Sequence, residues 1–176
     1  MWFEKLTFGQ LVDRAAEQWG DREALCFTGR RWSFTQFREE TDRATKGLIA
    51  AGVEPGDHVC LWLANRPEYL FIFFAIARIG TVIVPINTRF RTRDMAYVVT
   101  QSDATTLISA DRSGPVDYVP MIQELLPALS AQLPGAFSVP SVPALRRVIL
   151  LADTLVAGTL SPKCFRARNA GLGAWF

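Results

Sequence analysis

Few side chains in this sequence combine a type and a spacing that could do chemistry. The only histidine, His58, stands two residues before Cys60, and a thiol beside an imidazole is a pairing that nucleophilic catalysis uses. Both fall in an apolar run that reads as a strand, where alternate residues project to the same side without having to touch. Cys26 and Cys164 complete an odd, widely spaced set of three cysteines that fits neither a metal-ligand pattern nor a disulfide framework. There is no second imidazole to complete a zinc site. Cys26 and Cys60, each in an expected strand, are predicted to be small buried thiols. Two further segments imitate nucleotide loops. Thr159-Leu160-Ser161-Pro162-Lys163 ends on a lysine but lacks the glycines that let backbone close around a phosphate. Gly171-Leu172-Gly173 has no strand before it and no chain after it to form a helix.

The elements around these residues are easier to read. Tyr69 to Ile86 contains a single charge, Arg78, and must be either a membrane span or buried core. Arg78 near its centre would cost roughly 2.5 to 3.5 kcal/mol on insertion, and Gly80 and Pro85 interrupt the segment. Its propensities also change partway. Leu70 to Ile79 is built from long-chain, aromatic and alanine residues that suit a helix, whereas Thr81 to Val84 is β-branched and suits a strand. The segment therefore reads as part of a βαβ unit: strand Val59 to Leu63 after a Gly56-Asp57 turn, a helix opening at Asn65-Arg66-Pro67-Glu68, and strand Val82 to Val84. Pro67 fits a first turn, where its missing N–H is not needed, and Glu68 sits where the helix dipole favours a negative charge. Gly80 ends the helix. The continuous apolar run Val82 to Val84 predicts a strand covered on both faces, and parallel strands joined through a helix imply an α/β layered fold.

Ahead of this unit, Phe8, Leu11, Val12, Ala15, Ala16 and Trp19 form one helical stripe, with Thr7 and Gln10 as a capping box and Gly20 as its stop. A hairpin, Ala24 to Phe27 with Arg31 to Phe34, turns at Thr28-Gly29-Arg30. A second helix is capped by Ser33 with Gln36, shows Phe37, Thr41, Ala44, Leu48 and Ala51 on one face, and ends at Gly52. Beyond Asn87 the basic stretch Thr88 to Arg93 is turn-like. A short helix follows over Asp94 to Gln101 with Met95, Val98 and Val99 inward, then a strand over Ala104 to Ser109. Tyr118, Met121, Ile122, Leu125, Leu126 and Leu129 predict a helix over Asp117 to Ala131, with Pro120 in its first turn and Pro127 kinking or ending it. Leu133 to Pro143 is a proline-punctuated connector, and Val148 to Leu151 is one more strand. No internal repeat is present.

The chain has 176 residues, 49% hydrophobic and 20% charged with a net charge of +2, which suits one globular domain or a large part of one. Its positive charges are scattered rather than striped, which argues against a nucleic-acid partner. Met1 to Phe8 has no charged region followed by an apolar core, which argues against a secretory signal. The expected location is cytoplasmic.

Three pieces in fixed order then carry a family resemblance: Arg31-Trp32-Ser33-Phe34, the run Gly52-Val53-Glu54-Pro55-Gly56-Asp57-His58-Val59, and the run Ala77 to Asn87, ARIGTVIVPIN. Together they resemble the N-terminal region of the AMP-forming acyl-CoA synthetases, within the adenylate-forming superfamily. The resemblance covers roughly Thr7 to Asp153, departing mildly at His58, where arginine is usual, and at Asp94, where glutamate is usual. It implies an α/β fold, a layered sheet of parallel βαβ units flanked by helices, forming an incomplete N-terminal subdomain. Residues 1–153 would be the family part. Residues 154–176 would be a disordered, non-family tail, and its basic, aperiodic text from Ser161 suggests a frame disruption.

By that resemblance the full-length enzyme makes a carboxylate, fatty or aromatic, attack the α-phosphate of ATP to give an acyl-adenylate and pyrophosphate. It then passes the acyl group to the thiol of coenzyme A. The crowded phosphate charge needs Mg²⁺, backbone N–H groups and a lysine. The family takes these from a loop ending in Pro-Lys-Gly, an acidic-aromatic motif, a ribose-binding aspartate and a C-terminal lysine, none of which is in this sequence. The segment alone is therefore expected to be inactive, without catalytic or metal-binding residues and without a cofactor of its own. One family contact is carried over, the loop Asn87-Thr88-Arg89 on the coenzyme A side, with Arg89 either meeting a phosphate or standing as a solvated loop arginine. Tyr69, Phe71, Phe73 and Phe74 are expected to be helix packing rather than an acyl pocket. The alternative function is a binding or regulatory fragment that docks on a full-length synthetase through uncovered sheet edges and apolar faces.

Overall fold

The computed structural model describes residues 6–131, 139–152 and 156–160. Expectations for Met1 to Lys5, most of the Leu133 to Pro143 connector, Asp153, Lys163, Cys164 and Gly171-Leu172-Gly173 lie outside the described residues. A 3₁₀ turn, Phe8–Gln10, leads into helix α1 (Leu11–Trp19), and the Thr7 backbone N–H donates to Gln10 Oε1 at 2.9 Å as one arm of the expected capping box. The hairpin β1 (Glu23–Phe27) and β2 (Arg30–Ser33) follows. Ser33 then starts α2 (Phe34–Ala50) with both arms of a capping box, its Oγ accepting from Gln36 N and its N–H donating to Gln36 Oε1.

The parallel βαβ unit is β3 (His58–Trp62), α3 (Pro67–Ile79) and β4 (Val82–Pro85). Pro67 occupies the first turn of α3, and Gly80 ends that helix at φ 83°, a left-handed conformation that side-chain-bearing residues adopt at a cost. Next come α4 (Thr92–Gln101), β5 (Thr106–Ala110), a small hairpin β6 (Arg112–Ser113) and β7 (Val116–Asp117), α5 (Val119–Leu125) and β8 (Arg147–Leu151). The main sheet is parallel, in the order β4-β3-β5-β8.

The strict two-residue alternation of the strands divides the core in two. Val59, Leu61, Ile108 and Ile149 face Leu48, Phe71, Ile72 and Ile76 from α2 and α3, while Cys60, Trp62, Leu107, Val148 and Leu150 face Met95, Val99 and Ile122 from α4 and α5. Helices thus cover both faces. Phe37 packs edge-on against Phe71 at 5.1 Å, and Phe8 lies over Phe74 at 5.4 Å and Phe73 at 5.5 Å, so the aromatic run of α3 packs helix against helix. Gly9 is the point of closest approach: a Cβ there would sit 2.7 Å from the Arg78 Cα. Arg78 pairs with Asp13 and Asp42, tying α1, α2 and α3 together.

Three sequence expectations need correction. β4 is an edge strand, with Val82 47% exposed, because α4 carries the chain back across β3 rather than adding a strand beyond β4. The helix expected over Asp117 to Ala131 is limited to Val119–Leu125, and a separate 3₁₀ turn, Leu129–Ala131, follows Pro127. Cys26 is exposed, because β1 belongs to a two-stranded hairpin instead of the covered sheet. Residues 156–160 return to the sheet, where Leu160 pairs with Ile149 and exchanges hydrogen bonds with Val148 and Leu150. Among the described residues no helix is long and apolar enough to cross a membrane.

Candidate functional site

The strand order places a switch point between β3 and β5, since the connection leaving β3 runs to one side and the path onward from β5 leads to the other. Open α/β sheets bind ligands at such points, outside the carboxyl ends of the strands. The loop Asn87-Thr88-Arg89 leaves β4 at this end. Asn87 Oδ1 accepts from the Arg89 backbone N–H at 2.9 Å, and the Asn87 carbonyl accepts from Phe90 N at 3.0 Å, a compact Asx turn. Arg91 Nη1 donates to the Arg89 carbonyl at 3.1 Å. The Asp94 carboxylate accepts from Arg91 N at 3.2 Å and places a negative charge in the first turn of α4.

Two residues that sequence reasoning passed over hold this loop from below. The indole N–H of Trp62 donates to the Asn87 carbonyl at 3.2 Å, and the phenol of Tyr118 donates to the Thr88 carbonyl at 2.8 Å. Tyr118 had a sequence signal only as a member of a helical stripe, and Trp62 none beyond its place near a strand end. Asn87 and Arg89 stay exposed, and among the described residues the Arg89 guanidinium forms no ion pair.

The opposite end of the sheet holds the other candidates. His58 Nδ1–H donates to the Ser102 carbonyl, while Cys60 Sγ lies 3.7 Å from Ser102 Oγ, so each meets Ser102. Burial pushes the Cys60 thiol up to about 11, against a weaker opposing pull from the Ser102 hydrogen bond. A thiol that keeps its proton at neutral pH is a poor nucleophile. Arg147 and Asp57, 7% and 12% exposed, pair at 3.1 Å, and Arg147 Nη1 also donates to Thr106 Oγ1 at 3.1 Å. Thr159 turns its hydroxyl to the Val156 carbonyl at 2.8 Å and Leu160 is bridged to β8, so the described part of the lysine-ending imitation loop is packed against the sheet. Among the described residues no group of three or more His, Cys, Asp or Glu could hold a metal ion.

Comparison with known proteins points one way. The sequence profile of the family described as AMP-binding enzyme matches residues 12–147. The chain is 32% identical over 154 residues to the acyl-CoA synthetase YngI of Bacillus subtilis, covering 86% of this chain and 28% of that protein. It is 36% identical over 120 residues to a crotonobetaine/carnitine–CoA ligase of Proteus mirabilis, covering 65% and 23%. The chain thus spans about a quarter of the length of these relatives. The anthranilate CoA ligase AuaEII, solved with anthranoyl-AMP, matches 96% of this chain and 29% of its own at a TM-score of 0.76 and 21% identity. The N-terminal domain of FACL13 from Mycobacterium tuberculosis matches 96% and 38% at a TM-score of 0.69 and 22% identity. These structures share the fold.

Proposed function

Because the chain belongs to the AMP-binding enzyme family, we propose that it is the N-terminal portion of an ATP-dependent carboxylic acid–CoA ligase. The observation that carries this reading is the match of most of the chain to CoA ligases, at a third or so of identical residues. The whole enzyme joins a fatty or aromatic acid to AMP, releases pyrophosphate and passes the acyl group to coenzyme A, with Mg²⁺ moderating the phosphate charge. Within this portion the sheet is scaffold. Arg89, exposed on a loop whose backbone is held in place, meets a phosphate of coenzyme A, with Asn87 and Thr88 shaping the turn that presents it. A guanidinium is suited to this because it stays charged and offers several donors to phosphate oxygens.

The family part of the chain is residues 1–153 with residues 154–176 apart, although 156–160 pack with the sheet. The protein acts in the cytoplasm, and the isolated chain catalyses no adenylation. Pyrophosphate exchange across a panel of acids tests this. The isolated chain is expected to be silent, and the chain joined in frame to the remaining part of a related ligase is expected to exchange. A folded but silent chimera would overturn the reading. A second reading, docking on a full-length relative, is favoured by the outer flank of β8, where Leu160 is the only bridged residue among those described. Co-purification with an intact synthetase separates the two.

A further inference from the structure

Trp62 and Tyr118 are both fully buried, stacked at 3.8 Å between ring centroids with 14° between their planes. Each has one polar atom that must find a partner when the ring is buried. Both spend it on the same loop, on consecutive carbonyls, those of Asn87 and Thr88. Tyr118 is itself fixed by its backbone N–H, which donates to the Asp111 carbonyl at 2.8 Å, just past the end of β5. The stacked pair therefore connects the loop after β4 to the carboxyl ends of β3 and β5. With the peptide groups of Asn87 and Thr88 held, and the Arg89 carbonyl bonded to Arg91, the Cα of Arg89 is constrained from both sides. Asn87 and Arg89 nevertheless remain exposed. The polar atoms of two buried rings are thus used to fix a loop that turns outward.

We propose that Trp62 and Tyr118 are positioning residues that preset the Asn87–Arg89 loop for the phosphate of coenzyme A, an inference that rests on the reading of Arg89 given above. Holding the loop in its bound shape beforehand reduces the ordering cost when ligand arrives. Neither residue touches the ligand in this scheme. Their effect passes through the backbone.

Amide hydrogen exchange by NMR on the full 176-residue chain tests the brace. Tyr118→Phe keeps the stacked ring and removes only the donor to Thr88, and Trp62→Phe removes the donor to Asn87. In each variant the amides of Arg89 and Phe90 should exchange roughly five-fold faster, the effect of one lost hydrogen bond, while amides in β5 and β8 keep their rates. Unchanged exchange at Arg89 and Phe90 in both variants overturns the brace. If Trp62→Phe loosens the whole sheet, Tyr118→Phe alone decides. Titration with coenzyme A forms the second arm. The Arg89 and Phe90 amide signals should shift in the unaltered chain, stay still in Arg89→Ala, and need several-fold more ligand in Tyr118→Phe. If Tyr118→Phe titrates like the unaltered chain, the link from brace to ligand is overturned. If the unaltered chain shows no shift while the exchange effect holds, the coenzyme A reading falls and the brace stands.

Discussion

At the amino end of the parallel sheet, Asp57, Thr106 and Arg147 close on one another below the surface, while at the carboxyl end Trp62 and Tyr118 grip backbone carbonyls and leave Arg89 exposed. The first arrangement consumes its charges. A buried guanidinium and carboxylate must satisfy each other, and the one Arg147 donor without a partner among the described residues, Nε, is sealed from solvent. The second keeps its charge outside and uses neutral donors for the internal work. Within one sheet, then, the more heavily charged cluster is scaffold, and the functional candidate lies where a charge with no ion pair among the described residues stands on a restrained backbone.

That contrast is sharpest in the variant expected to do most damage. Asp57→Ala leaves Arg147 without its carboxylate and should destabilise the chain by about 3–5 kcal/mol in urea unfolding. Adding Arg147→Met should recover much of the loss, and failure to recover would mean that the pair does more than neutralise itself. Cys60 gives a smaller, pH-dependent effect at the same end. Its folded thiol holds the proton to about 11 against an ordinary value of 9.0, so stability is intact below pH 9 and declines as pH rises toward 11. The decline is on the order of 2 kcal/mol. Urea midpoints measured from pH 8 to 11 should fall less steeply in Cys60→Ala. Ser33→Ala, remote from both ends, removes one arm of a capping box and should cost about 1 kcal/mol in thermal or urea unfolding. Smallest of all, Arg89→Ala should change stability by no more than about 0.5 kcal/mol. A large loss there would make Arg89 scaffold and erase the difference between the two ends.

The fold was legible wherever a local signal and a tertiary need agreed. Thr7 with Gln10, Ser33 with Gln36, Pro67 and Gly80 all act within a few residues of themselves, and each stands where its chemistry predicted. Val82 to Val84 misled because a continuous apolar run records composition, whereas exposure depends on which strand stands next to it, among the described residues only β3. The hairpin of β6 and β7 was too short to leave a period. The candidate site was half legible. Asn87, Thr88 and Arg89 came from the resemblance, but the brace joins Trp62 to Asn87 and Tyr118 to Thr88 across 25 and 30 residues, a separation at which no spacing rule applies. The Asp57–Arg147 pair, 90 residues apart, was invisible for the same reason.

Pro85 gives the sheet a direction of growth. Val82 and Ile86 send their amides to the Asp57 and Leu61 carbonyls of the neighbouring segment, so by alternation Ile83 and Pro85 present theirs to the open flank. Proline has none to present. An arriving segment would find one donor where a regular ladder offers two, which discourages chance pairing with other chains on that side. Beyond β8, Leu160 already bonds with Val148 and Leu150, so lateral addition can proceed there and is blunted at the other margin.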